Sequence, residues 1–250
     1  MLHDFPACLE AIVGSRFRAI YLSGSLALGR FDPHNSHIDV VVVTDAEIAE
    51  DLFVALQAMH ALFGASSSPW AVKVEAVYIP RDALRNSAPT PAQCPQIEKG
   101  GILFRGPLES GWPIQCHILR ERGVVAAGPD PRTLIGPVDP ADMRRASVAI
   151  ATAWREQARH DPAWLAWLQH RDAQAFVVLT LCRLLHTLDS ASVASKPVAA
   201  RWAQKVFGER WAGLIERSLA GQHDRSETPE SDVDDTVALM QYTVERSHKD

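Results

Sequence analysis

Four prolines fall within the twelve residues from Pro129 to Pro140, interleaved with Gly128 and Gly136. Neither a helix nor a β-ladder runs uninterrupted through such a stretch. It divides the 250-residue chain into halves of different character. Before it, apolar and β-branched runs at Ala19–Leu22, Ile38–Val43 and Val72–Ile79 read as three strands. Between the second and third, Ile48, Leu52, Phe53, Leu56, Met59 and Leu62–Phe63 recur at helical spacing and predict a helix over Ala46–Phe63. Gly64 to Pro69 supplies its stop. The proline-bearing run Asn86–Gln96 reads as a loop, either bordering a cleft or merely connecting.

After the break only helical patterns remain. Asp139 is placed to cap a helix over Ala141–Arg159, with Pro140 at its first position and Asp142 in its first turn. Gln174–Leu188 carries Val177, Val178, Leu181, Leu184, Leu185 and Leu188 on one stripe and reads as a central buried helix. Pro197–Val206, Glu209–Leu219 and Asp232–Arg246 complete a bundle of about five. The expectation is an α/β (α+β) N-terminal domain with a mixed sheet over residues 1–138 and an all-α helical bundle over 139–250.

Composition narrows the partners. Twenty-five Lys and Arg against thirty Asp and Glu give a net charge of −5, a poor basis for coating phosphate backbones, so nucleic acid is not expected. The cysteines Cys8, Cys94, Cys116 and Cys182 form no C-x-x-C pair, which fits a reduced, cytoplasmic setting. The opening Met1–Asp4 lacks the pattern of a secretory leader, and no apolar run approaches the length of a membrane span.

Chemistry concentrates in Tyr21–Gly29 and the residues after it. A strand enters Gly24–Ser25 and a helix leaves it; such a junction offers free backbone N–H groups, close approach at Gly24 and a hydroxyl at Ser25, which together suit a phosphate. Positions 37 and 39, at i and i+2, share one strand face. Oxygen ligands paired on such a face are what a hard Mg²⁺ ion needs to hold a triphosphate. Glu75, a lone acid amid Val and Ala on an interior strand, needs a partner or a metal.

This combination resembles the nucleotidyltransferase superfamily related to DNA polymerase β, marked by Gly-Ser, a glycine four residues after the serine, Asp-x-Asp on the next strand and a later carboxylate. Gly24, Ser25, Gly29, Ser36, Ile38, Asp39 and Glu75 match. His117–Val125 with Gly128–Pro129, Val178–Arg183, and Ala194–Lys196 with Ala199–Ala203 are similar to the aminoglycoside adenylyltransferases that modify streptomycin and spectinomycin. The resemblance implies transfer of AMP from ATP to a hydroxyl of a small, cationic acceptor, with loss of pyrophosphate. By position it implies Gly24 and Ser25 gripping phosphates, Asp39 ligating the metal, Glu75 as ligand and general base, and Lys196 contacting the nucleotide phosphates.

The first carboxylate of Asp-x-Asp is His37 here. A mixed set of His37, Asp39 and Glu75 holds Mg²⁺ less well and admits Mn²⁺ or Zn²⁺. The alternative is a degenerate, nucleotide-binding or ligand-sensing relative in which His37 ligates nothing. Before the central helix the acidic residues of streptomycin-modifying relatives are reduced to Asp172, which puts streptomycin itself in question. Trp154, Trp164 and Trp167 read as bundle core. Cys116–His117 reads as packing rather than a nucleophile, and the acidic run Ser226–Asp235 as a solvated loop and helix start.

Overall fold

The computed structural model describes residues 5–33, 36–85, 93–98 and 101–246. Met1–Asp4 and residues 86–92 of the expected proline-bearing loop lie outside the described residues. Two compact units are present, Met1–Val138 and Asp139–Asp250.

The first unit contains α1 (Phe5–Val13), β1 (Phe17–Leu22), α2 (Gly24–Ala27), β2 (Ile38–Thr44), α3 (Glu50–Gly64), β3 (Val74–Pro80), α4 (Arg81–Arg85), β4 (Cys94–Ile97), β5 (Phe104–Gly106), α5 (Trp112–Arg122), β6 (Val124–Ala127) and α6 (Pro131–Leu134). Its six-stranded mixed sheet runs β5-β4-β3-β2-β1-β6. β2 and β3 are parallel, and every other neighbouring pair is antiparallel. A parallel pair needs a crossover, which α3 supplies. Strand alternation sorts the two central strands by face. Ile38, Val40 and Val42 of β2 and Val74, Ala76 and Tyr78 of β3 join the core with Phe5, Leu9 and Val13 of α1 and Phe53, Leu56 and Met59 of α3. Asp39 and Glu75 alternate onto the opposite face.

Several elements differ from expectation. β3 begins at Val74 because residues 71–73 close a 3₁₀ turn. α3 begins at Glu50, and Leu62 is exposed because its position falls off the stripe through Phe53, Leu56, Met59 and His60. Residues 94–96 of the expected loop belong to β4, a short strand that pairs with β3 and β5 despite Pro95.

His60 marks where this core is sensitive to acid. Its ring is buried against Phe5 and Tyr78, and Nε2 meets the Tyr78 hydroxyl at 2.6 Å. Burial lowers its pKa from 6.5 to about 4. The unfolded chain therefore binds a proton that the folded chain refuses. The stabilisation is complete above pH 6.5 and is lost as pH falls toward 4, amounting to about 3 kcal/mol at most. Urea midpoints should drop across that window, and His60→Gln should flatten the drop; an equal slope in the variant assigns the acid sensitivity elsewhere.

The second unit is all helical: α7 (Pro140–His160), α8 (Pro162–Leu168), α9 (Arg171–Ser190), α10 (Lys196–Phe207), α11 (Glu209–Ala220) and α12 (Glu230–Arg246). α7 starts as its sequence dictates, with the Asp139 carboxylate accepting from the Ala141 N–H and Pro140 at the first position. α9 is the central helix, buried from Ala173 to Leu188 along its apolar stripe. α8 adds a short sixth helix, capped by Asp161. Trp167, expected in the core, is 41% exposed, its ring edge-on to Phe176 at 6.4 Å.

Asp232 also departs from expectation. It is 4% exposed and forms a two-pronged ion pair with Arg217, at 2.8 and 2.7 Å. Its place in the first turn of α12 lets the helix dipole support the charge. Arg217→Met removes the partner of a buried carboxylate, and the half-exposed arginine lessens the cost to about 2 kcal/mol. Thermal unfolding should show a lowered midpoint, and an unchanged midpoint contradicts this account of the pair. All four cysteines are free. Among the described residues no helix is long and apolar enough to cross a membrane.

Candidate active site

β1 delivers the chain to Ser23, which is extended, and then to Gly24 at φ +55°. That left-handed conformation favours glycine. One helical turn follows, closed by Ala27 N–H to the Ser23 carbonyl and Leu28 N–H to the Gly24 carbonyl. The turn is fastened to β2 by the Ser23 N–H, which donates to the Asp39 carbonyl at 2.9 Å. A side chain at Gly24 is doubly excluded: its Cβ would lie 2.6 Å from Asp39 Cγ and closer still to Oδ2. The Asp39 carboxylate thus lies directly against the Gly24–Ser25 turn.

The parallel register sets the second carboxylate beside the first. Asp39 of β2 and Glu75 of β3 are register partners and share a face. His37, just before β2, brings Nδ1 to 3.2 Å from Glu75 Oε1; both side chains are partly exposed. Among the described residues no group of three His, Cys, Asp or Glu side chains is already arranged for a metal. His37 Nδ1 faces the Glu75 carboxylate. A divalent ion that arrives with a nucleotide needs only one or two protein carboxylates, because phosphate oxygens and water complete its shell. The donor chemistry of Asp39 and Glu75 meets that need without His37.

Lys196 belongs to the second unit, where it opens α10 after the N-cap Ser195. Its ammonium lies 3.8 Å from the centroid of the Phe176 ring. Sequence reading missed Ser23 and Gln115 as neighbours of the turn. Ser23 is fully buried, and its Oγ accepts from Gln115 Nε2 of α5 at 2.8 Å. Chain separation hid this pair, since the two residues lie 92 positions apart. At the same end of β1, the Tyr21 hydroxyl donates to the Pro129 carbonyl at 2.9 Å. Burial, with help from Asp130, pushes its pKa up to about 12, so it stays protonated and keeps that bond.

Residues 133–246 match the family model for the aminoglycoside adenylyltransferase C-terminal domain. The aminoglycoside (3'') (9) adenylyltransferases of Klebsiella pneumoniae and Shigella flexneri are each 26% identical over 238 residues, covering 90% of this chain and 86% of the relative. That of Escherichia coli is 27% identical over 225 residues, covering 86% and 81%. Among solved structures, the spectinomycin adenyltransferase AAD(9) from Enterococcus faecialis, crystallised with ATP and spectinomycin, superposes with a TM-score of 0.75 at 16% identity, over 98% of both chains. The likeness shows a shared fold, a mixed sheet followed by a helical second unit. Residues 133–246 thus resemble the C-terminal domain of aminoglycoside adenylyltransferases, and the chain is similar along most of its length to full-length relatives of that name.

Proposed function

We propose that this protein transfers AMP from ATP to a hydroxyl of a small, cationic acceptor of the aminoglycoside type. The observation that carries the reading is the pair of carboxylates, Asp39 and Glu75, in register on one sheet face with Asp39 pressed against the Gly24–Ser25 turn. The relatives' named activity supports the acceptor class.

Gly24 and Ser25 bind the triphosphate through backbone N–H groups and the Ser25 hydroxyl. Asp39, with Glu75 beside it, would hold a divalent ion, and carboxylate donors favour Mg²⁺. When bound, that ion neutralises charge on the phosphates. The acceptor oxygen attacks the α-phosphorus in line; the new O–P bond forms as the bond to the bridging oxygen of pyrophosphate breaks. The hydroxyl proton passes to Glu75, whose carboxylate His37 holds from the side. In this reading position 37 serves the base rather than the metal, and its departure from Asp-x-Asp does not by itself disable the site. Lys196 contacts the nucleotide phosphates, as the resemblance implies. A cation in the first turn of a helix opposes the helix dipole, and an anionic ligand relieves that cost.

Pyrophosphate release is the test. Purified protein with ATP is assayed against spectinomycin, streptomycin and other hydroxylated amines, with Mg²⁺, with Mn²⁺ and with chelator. Release that requires both metal and one of these acceptors is expected. Binding of ATP without release for any acceptor or metal supports a ligand-sensing relative instead.

A further inference from the structure

We infer that Gln115 is a positioning residue for the Gly24–Ser25 turn, acting through Ser23. Ser23 stands at the N-cap of α2, where a serine hydroxyl ordinarily accepts from the helix's own first N–H groups. It makes no such bond. Its Oγ is committed to the Gln115 amide at 2.8 Å, and its N–H to the Asp39 carbonyl at 2.9 Å. One fully buried residue therefore ties the turn in two directions, to β2 beside the Asp39 carboxylate and to α5.

The α5 end of this tie is rigid. Trp112, Ile114, Cys116, Ile118 and Leu119 are buried on either side of Gln115. One turn further on, Arg120 reaches the carbonyls of Arg132 and Ile135 and fixes the helix to the chain around α6. A site residue held by a packed helix keeps its geometry better than one held by a loop. Gly24, at positive φ, lies close against Asp39 within this turn. Gln115 thus sets how the turn lies against Asp39, and so how well both meet a triphosphate. That the ligand is a triphosphate rests on the nucleotidyl-transfer reading; that Gln115 holds the turn does not.

The experiment uses the full chain with Gln115→Met, which keeps length and removes the amide, and Gln115→Glu, which keeps the bond with the Ser23 hydroxyl as donor. Amide exchange across residues 21–30 is followed without nucleotide, and the Kd and KM for ATP are measured with Mg²⁺. Gln115→Met should speed exchange at Ala27, Leu28 and Arg30, and raise the Kd and KM for ATP by roughly tenfold while the acceptor KM stays put. Gln115→Glu should restore the slow exchange. Exchange in Gln115→Met equal to wild type, or faster throughout the first unit rather than at the turn, overturns the assignment. Wild-type protein that binds no ATP would instead overturn the nucleotidyl-transfer reading, with the exchange comparison still deciding whether Gln115 holds the turn.

Discussion

Gly24→Ala is expected to reduce turnover by roughly 100-fold, the size of effect that follows when reacting groups are displaced by about an ångström. Two penalties coincide at this position. The left-handed backbone costs an alanine about 1–2 kcal/mol, and the methyl group meets Asp39 well inside van der Waals contact. The cheapest escape moves the Asp39 carboxylate away from the turn, which separates the phosphate-binding backbone from the metal-binding side chain. Gly29 supplies the control. It too has positive φ, +65°, but a Cβ there meets nothing within 4 Å. Gly29→Ala should cost similar stability and leave the KM for ATP within about twofold, on strain alone. Steady-state kinetics and thermal unfolding on both variants separate strain from collision. Equal losses of activity would show that Asp39 is not placed by the turn as described.

Glu75→Gln should lower kcat by about 10²–10⁴-fold, the usual contribution of a positioned base. The substitution keeps the shape and keeps an oxygen facing His37, so fold and register with Asp39 are retained. ATP affinity should change by much less than kcat, because Asp39 and the Gly24–Ser25 turn stay in place. Single-turnover measurements with saturating acceptor read the chemical step directly. A variant with wild-type kcat would remove Glu75 from the role of base. One that loses ATP binding in proportion to kcat would make it chiefly a metal ligand.

Much of this was legible because the signals are local. Val40–Val43, the β-branched run after Asp39, leaves no alternative to a buried strand, and Glu75 stands out in β3 as the one acid between Val74 and Ala76. Asp139–Pro140 announces a helix start with a cap and a fixed φ, and the structure places the cap bond there. What escaped was non-local or short. β5 spans three residues and β4 four, one of them Pro95, too few for a period to register. Leu62 fits an apolar pattern but not the angle of the buried stripe, and Asp232 sits in an acidic run whose one buried acid is chosen by Arg217 of another helix. The His37–Glu75 contact crosses between strands, so position 37 read as a metal ligand from its own strand and as a partner of Glu75 only in the fold.

Mass spectrometry of the acceptor tests the central claim most directly. Wild-type protein is incubated with ATP, Mg²⁺ and spectinomycin or streptomycin, beside an Asp39→Asn control. The prediction is an acceptor heavier by one adenylyl group, formed by the wild type, with the control at background. An unmodified acceptor across the panel, or the same product from the Asp39→Asn protein, would contradict it.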